Sequence, residues 1–329
     1  MKFSIVISTY TRLNLLKRAI DSARSQTIPC EVVVADDCSK DETEAYVRSL
    51  GSGVVYHRNP TNSGHAVTVN SGVQAASGDW IKFLDDDDYL APNCIEEMIK
   101  AIEKRPQAAI CSCQAAQVDV NEVELSRTRQ SGPGGAFYIP QEDIHYGMLL
   151  EQVPFGTPVQ VACSREAFLQ SGGWDSSLDA NCDDIDSWIK IARFGDAIFL
   201  NQCLAYRTVW PGAYNQRFSL ATRLETNVLM KQKIYALVSD RHRAKLPPFA
   251  EIEAYLNLHW GLVALKQKKL GTAAQFAFPA ALSPQAWRLL WDARTAQKTL
   301  SSLPSTAENR QETQPDASPT IQKVVLLEA

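Results

Sequence analysis

The stretch Trp80-Ile-Lys-Phe-Leu-Asp-Asp-Asp-Asp-Tyr-Leu-Ala-Pro92 decides how this chain is read. An apolar run suited to a buried strand ends in the carboxylates Asp85, Asp86, Asp87 and Asp88, and Pro92 helps to start a helix just beyond them. Like charges this close raise one another's pKa unless a cation shares the site. Hard oxygen donors of this kind favour Mg²⁺ or Mn²⁺. An isolated acidic run is ordinarily a solvated turn. In parallel α/β sheets, however, ligands bind beyond the carboxyl ends of the strands, which is where this run stands.

The elements around it alternate. Phe3 to Ile7 reads as a strand, and Leu13, Leu16, Ile20 and Ala23 follow at helical spacing. Val32 to Ala35 and Val54 to Tyr56 are further strands, with helices expected over Asp41 to Leu50 and Gly64 to Ala76. Ile81 to Leu84 is the next strand, and Ile95, Met98, Ile99 and Ile102 mark the next helix. Alternation of this kind implies right-handed crossovers and a mostly parallel sheet.

After a strand over Ala108 to Val118 the rhythm changes. Ser131 to Gly135 is a loop or hairpin tip, and Ile144 to Leu150 a short helix. Strand character returns at Val159 to Cys163 and Ala197 to Leu200. Between them lie a turn at Gly172 to Leu178 and a helix with Ile185, Trp188, Ile189 and Ala192 on its apolar face. Residues 217–300 read as a helical extension, and 301–329, polar and poor in aromatics, as a disordered tail. The expected domain is then 1–216, divided into a 1–118 half and a 119–216 half.

Charge is unevenly spread. Met1 to Gln216 holds 18 Lys and Arg against 28 Asp and Glu, whereas Arg217 to Lys298 holds 13 against 5. The acidic part argues against nucleic-acid binding, which relies on cations at phosphates. The eight cysteines form no zinc-like pair of C-x-x-C units, and Met1 leads straight into a strand. Reduced thiols and a cytoplasmic setting are the expectation. No apolar stretch approaches the roughly 20 residues of a membrane span.

Several motifs, in order, resemble the family 2 glycosyltransferases of the GT-A fold. They are Ile5-Val-Ile-Ser-Thr-Tyr-Thr-Arg12, Gln26-Thr27 with Glu31 to Asp41, Asn62-Ser-Gly64 with Asn70-Ser-Gly72, Ala76-Ser-Gly-Asp79 and Phe83 to Asp88. Gly172-Gly-Trp-Asp175 and Asp183-Asp-Ile-Asp-Ser-Trp188 look like the acceptor half. The resemblance spans roughly Lys2 to Trp210. It implies an inverting transferase that moves a sugar from a nucleoside-diphosphate donor, a UDP-sugar first, to a hydroxyl of a saccharide or lipid-linked acceptor in polysaccharide or glycoconjugate assembly.

The chemistry says why such residues are needed. Tyr10 can offer an aromatic face to a base. The resemblance gives Asp37 the imide proton of uracil; the alternative for it is to cap the helix near Asp41, for which Ser39 is better placed. Thr9, Arg12, Asn62 and Asn70 complete the expected nucleotide contacts, with Asp86 on the ribose. Asp87 and Asp85 are the expected ligands of Mn²⁺ or Mg²⁺, which would stabilise the departing diphosphate. Asp184 matches the second acid of the family's Glu-Asp pair and would accept the proton of the attacking hydroxyl. Asp183 replaces the Glu, so either acid could be the base. The alternative is that Asp183, Asp184 and Asp186 only complement a helix dipole.

Two further departures stand out. Val69 occupies a position where relatives often carry Arg, leaving Arg12 or His65 to supply that contact, and Arg207 to Gln216 holds no His that could serve as a further metal ligand. His57 and His65 read as surface or loop residues. The chain lacks the G-x-G-x-x-G after the first strand that a nicotinamide dehydrogenase would carry. A sugar-nucleotide pyrophosphorylase would want a glycine-rich loop in place of Ser8 to Arg12. A non-catalytic sugar-nucleotide-binding protein would have no need of Asp184. The basic helices leave open a peripheral contact with the inner face of an anionic membrane, against an ordinary basic exterior. A homodimer is equally open.

Overall fold

The computed structural model describes residues 1–153, 155–179, 182–210, 218–278, 280–291 and 321–327. The chain begins β1 (Phe3–Thr9), α1 (Leu13–Arg24), β2 (Glu31–Asp36), α2 (Thr43–Ser49), β3 (Val55–Arg58), α3 (His65–Ala75), β4 (Trp80–Asp85), β5 (Tyr89–Leu90) and α4 (Cys94–Lys104). Every residue of β1 is buried, as a strand covered on both faces must be. β2 and β4 flank it in parallel, with Thr9 opposite Asp36 and Ser8 opposite Asp85. The register therefore gathers the carboxyl ends of three strands at one edge. Gly72 lets α3 lie close on this sheet, since a Cβ there would come within 2.5 Å of Val6.

The second half continues with β6 (Ala108–Val118), β7 (Glu124–Arg127), β8 (Ala136–Ile139), α5 (Gln141–Leu149), β9 (Val161–Ser164), α6 (Arg165–Gln170), α7 (Asp183–Ile191) and β10 (Asp196–Thr208). The mostly parallel expectation holds around β1 and between β6 and β10. It fails elsewhere, because β9 runs antiparallel to both β4 and β6, and β8 antiparallel to β10. These strands are separated from their partners by several intervening elements rather than by a single helical crossover, so the parallel arrangement that such a crossover imposes does not extend to them. Ser131 to Gly135 is a loop but no hairpin tip, since β7 pairs with β6 and β8 with β10. Strand β10 is also longer than expected, its polar end at Asn201 to Arg207 being held by pairing with β6.

Lys82 sits in the middle of β4 and is fully buried. Its ammonium donates to the carbonyls of Phe83 (3.2 Å), Pro158 (3.4 Å) and Val161 (3.3 Å) and to that of Val159. It thereby fastens the segment that leads into β9.

The second compact unit comprises Arg217–Ala236 and Asp240–Thr320. It contains most of α8 (Leu220–Leu237), then α9 (Asp240–Arg243), α10 (Phe249–Lys266) and α11 (Leu270–Ala277). Helix α10 packs on α11. The expected continuation of the helical extension over 292–300 lies outside the described residues.

The disordered tail is corrected at its end. β11 (Val324–Leu327) adds antiparallel to β8, and Ile321 is buried. Gln322 N–H donates to Asp143 Oδ2 at 3.2 Å. Ile321-Gln-Lys-Val-Val-Leu-Leu327 is an apolar, β-branched run whose strand signal is diluted by the polar composition before it.

Candidate active site

The acidic run forms a turn at the end of β4, closed by a hydrogen bond from Asp88 N–H to Asp85 C=O at 3.1 Å. Asp88 points inward and accepts from Thr208 N–H at 2.8 Å, and burial raises its pKa well above the usual carboxylate range. Asp86 is buried too, accepting from Thr9 Oγ1 at 2.8 Å and Arg12 at 3.3 Å. Burial, with Asp87 and Asp85 nearby, pushes its pKa up to about 7 despite Arg12 and Thr9. Asp87 meets Arg12 at 3.2 Å and is likewise raised by burial and by Asp85. Side-chain exposure is 30% for Asp85 and 18% for Asp87, against 6% for Asp86. Asp85 and Asp87 are therefore the open pair.

His65 opens α3 and lies between two groups of acids. Its Nε2 stands 3.0 Å from Asp85 Oδ1 and 3.2 Å from Ser8 Oγ, while its Nδ1 stands 3.2 Å from Asp183 Oδ2. Burial alone would lower its pKa, but the bonds to Asp183 and Asp85 outweigh it and raise the pKa well above normal. Burial would raise Asp85, and the His65 and Ser8 bonds hold it below its ordinary value instead. The surface or loop reading of His65 is overturned. The signal for it was position, immediately after the Asn62-Ser-Gly64 turn.

Gly64 has φ +92°, and a Cβ there would clash with the Asp179 carboxylate. With no side chain in the way, Asp179 caps α3, accepting from His65 N–H at 3.1 Å and Ala66 N–H at 2.5 Å. Asn70 likewise clamps the backbone of Trp174, donating to its C=O at 2.9 Å and accepting from its N–H at 2.8 Å. Asn70 thus serves the Gly172-Gly-Trp turn rather than an open nucleotide surface.

Helix α7 begins with its acids. Asp183 accepts from His65 through Oδ2 and from Asp184 N–H through Oδ1 at 2.9 Å. Asp184 accepts from Ile185 N–H at 2.7 Å through Oδ1, and its Oδ2 has no partner among the described residues. Burial and the neighbouring Asp183 push its pKa up to about 7. Asp186, fully buried, pairs with Lys190 at 2.7 Å. The three acids therefore differ in role, which a common dipole effect does not explain.

The remaining expected residues are spread around this centre. Asp37 accepts from Asn59 Nδ2 (3.0 Å), Ser63 N–H (2.8 Å) and Gly64 N–H (2.9 Å), so most of its accepting capacity holds the 59–64 loop. It caps no helix, and neither does Ser39, whose Oγ accepts from Thr11 N–H at 2.8 Å. Tyr10 is 39% exposed at the end of β1, and Asn62 is exposed on its loop. Arg12 lies over the Trp210 ring at 5.2 Å.

Sequence reasoning missed Arg18, Asn59 and Asp179. Arg18 stacks on Tyr89 at 4.6 Å and donates to Asp87 C=O at 2.6 Å and Thr208 Oγ1 at 2.7 Å, supporting the acidic turn from below. Nothing in its helical spacing sets it apart from other surface arginines.

Two acidic sets lie where a cation could bind. His65, Asp179 and Asp183 offer ligand atoms within 4.8 Å of one another, but both Asp179 oxygens cap α3 and each Asp183 oxygen already accepts a hydrogen bond. Asp85 and Asp87 are crowded, partly open carboxylates whose mutual repulsion a divalent ion would relieve, and their oxygen donors suit Mg²⁺ or Mn²⁺.

Known proteins resemble this chain in sequence and in fold. An uncharacterised glycosyltransferase of Haemophilus influenzae is 31% identical over 196 residues, 58% of this chain and 62% of the relative. The chain thus spans less than two thirds of that relative's length. Staphylococcus aureus TarS, solved with UDP-GlcNAc, superimposes with a TM-score of 0.59 at 18% identity, over 89% of this chain and 79% of that one. A mannosyltransferase from Pyrobaculum calidifontis, solved with GDP-Man and Mn²⁺, gives 0.53 at 20% identity, over 92% and 83%. The fold is GT-A. The family model for glycosyl transferase family 2 matches residues 4–172, from the first buried strand to the turn that Asn70 clamps, and the chain belongs to that family.

Proposed function

We propose that this protein transfers a sugar from a nucleoside-diphosphate donor to an acceptor hydroxyl with inversion. The observation that carries the reading is that His65 brings an open carboxylate pair beyond the end of β4 close to a spared carboxylate of raised pKa at the start of α7. Asp85 and Asp87 would hold the divalent cation, and TarS with UDP-GlcNAc and the mannosyltransferase with GDP-Man and Mn²⁺ support a nucleotide-sugar donor with such an ion. A cation bound there would offset the charge gained by the leaving diphosphate.

The chain's own residues supply the rest. Asp184 Oδ2 accepts the proton of the acceptor hydroxyl as its oxygen bonds to the anomeric carbon, and the bond to the diphosphate oxygen breaks with its electron pair. A pKa of about 7 suits a base that must be ionised and still basic at neutral pH. Asp183 is the lesser candidate because both its oxygens are already accepting. Arg12, now held by Asp86 and Asp87, would exchange those partners for the diphosphate, and Tyr10 would offer its ring to the base. The remaining accepting capacity of Asp37 suits one imide proton, which favours uridine. The acceptor is a saccharide or lipid-linked hydroxyl.

Binding measurements with UDP-, GDP- and dTDP-sugars, with Mn²⁺ and with chelator, test the reading. Metal-dependent binding of one donor class with slow release of its nucleotide is expected. Failure of every donor to bind would overturn it.

A further inference from the structure

From Ala254 to Trp291 the chain carries no acidic residue, while Lys266, Lys268, Lys269 and Arg288 supply four cations. The same stretch exposes its apolar side chains. Leu270 is 68% exposed, Phe278 83%, Leu282 93% and Trp291 71%, more than any other large apolar side chain among the described residues. Leu265 and Trp287 are about half exposed beside them.

This is no frayed end. The helix over 284–291 buries Ala286 and Leu290 in a cluster with Leu258 and Ala280. Trp287 and Trp291, one turn apart, are 46% and 71% exposed, and Trp287 Nε1 is fastened to Ala281 C=O at 2.9 Å. A buried inner face fixes the helix, so the exposed outer face is presented rather than loose. Leaving such side chains in water forgoes their burial, and patches of this kind mark interaction sites.

We propose that this surface docks on a lipid bilayer containing anionic headgroups. Cations without intervening acids match a negatively charged surface. Tryptophan rings suit the boundary between headgroups and acyl chains, and Trp287, whose N–H is already bonded to Ala281 C=O, enters it without an unpaired donor. The aliphatic Leu265, Leu270 and Leu282 gain from acyl chains but cannot stack on nucleobases, which disfavours a nucleic acid. Among the described residues no helix is long and apolar enough to cross a membrane, so the contact is a surface one.

The test is flotation of the full chain with phosphatidylcholine vesicles, with and without phosphatidylglycerol, at low and high salt. Binding should require phosphatidylglycerol and fall with salt as screening shortens the attraction. Replacing both tryptophans, Trp287→Ser with Trp291→Ser, should weaken binding by roughly tenfold or more with an unchanged melting temperature. Lys268→Gln with Lys269→Gln, which removes charge from an exposed loop, should weaken it without touching the helix packing. Absence of flotation at low salt, or flotation indifferent to these substitutions, would overturn the proposal. So would a concentration-dependent dimer abolished by the tryptophan replacements, which would assign the surface to a second copy.

Discussion

Asp183 and Asp184 are neighbours in sequence but differ in circumstance: Asp183 accepts through both oxygens, from His65 and from the Asp184 N–H, whereas Asp184 keeps Oδ2 unpartnered among the described residues. Two carboxylates at one helix end are thus divided into a structural acid and an available one. Asp184→Asn should lower nucleotide release from the preferred donor by about 10² to 10⁴ while UDP affinity stays within about threefold, as loss of a general base does. Asp183→Asn should cost less. If steady-state kinetics show the reverse order, the base is Asp183.

The same carboxylate predicts a pH profile. Burial and Asp183 raise Asp184 to about 7, so its protonated form, which could not serve as the proposed base, prevails below that value. Turnover should rise with pH through about 7 and level off above it. In the fold this group resists ionisation, so its charge at higher pH is a cost to stability, and Asp184→Asn should melt no lower than the unaltered protein at pH 8. A flat profile from pH 5 to 9 would remove Asp184 from the chemistry.

His65 joins the two acidic centres, and its removal should be felt in both. His65→Ala leaves Asp85 without its donor at 3.0 Å and Asp183 without its donor at 3.2 Å. Turnover should fall roughly tenfold to a hundredfold, the range for residues that orient catalytic groups. His65→Gln, which can still donate to one acid, should recover part of the loss. Equal activity of all three proteins would show that the bridge is incidental.

Asp87→Asn should abolish metal-dependent UDP binding while leaving the melting temperature close to that of the unaltered protein, because Asp87 is partly open and its neighbour Asp88 holds the turn. Calorimetry with Mn²⁺ and with chelator reads both. Identical UDP affinity in the unaltered protein with and without Mn²⁺ would count against Asp87 as a ligand.

Glu31 offers a test of stability away from the site. Burial would raise its pKa, but donors on Ser4 (2.5 Å), Ser77 (2.5 and 2.7 Å) and Lys2 (3.3 Å) hold it down at about 2. A depressed carboxylate contributes stability that is present above its unfolded value near 4.5 and lost as pH falls toward 2. Glu31→Gln should cost about 1 to 3 kcal/mol at neutral pH and flatten that acid limb, measured by denaturant unfolding.

The order of motifs made the fold legible. Continuous apolar runs such as Phe3 to Ile7 and Ile81 to Leu84, separated by helical periods, admit few topologies, and the carboxylates after Leu84 had to emerge at a strand end. Those are local properties, set by side-chain period and polarity. What the tertiary structure alone decided is which donor reaches which acceptor. His65 gained its place from the opposition of Ser8 and Asp85 across β1 and β4, and from Asp179, more than a hundred residues away, at the start of its helix. The antiparallel entry of β9, the strand at Val324–Leu327 and the burial that raises Asp184 belong to the same class. Hydrogen bonds and desolvation depend on distances between segments remote in sequence, and residue order carries no direct measure of those distances.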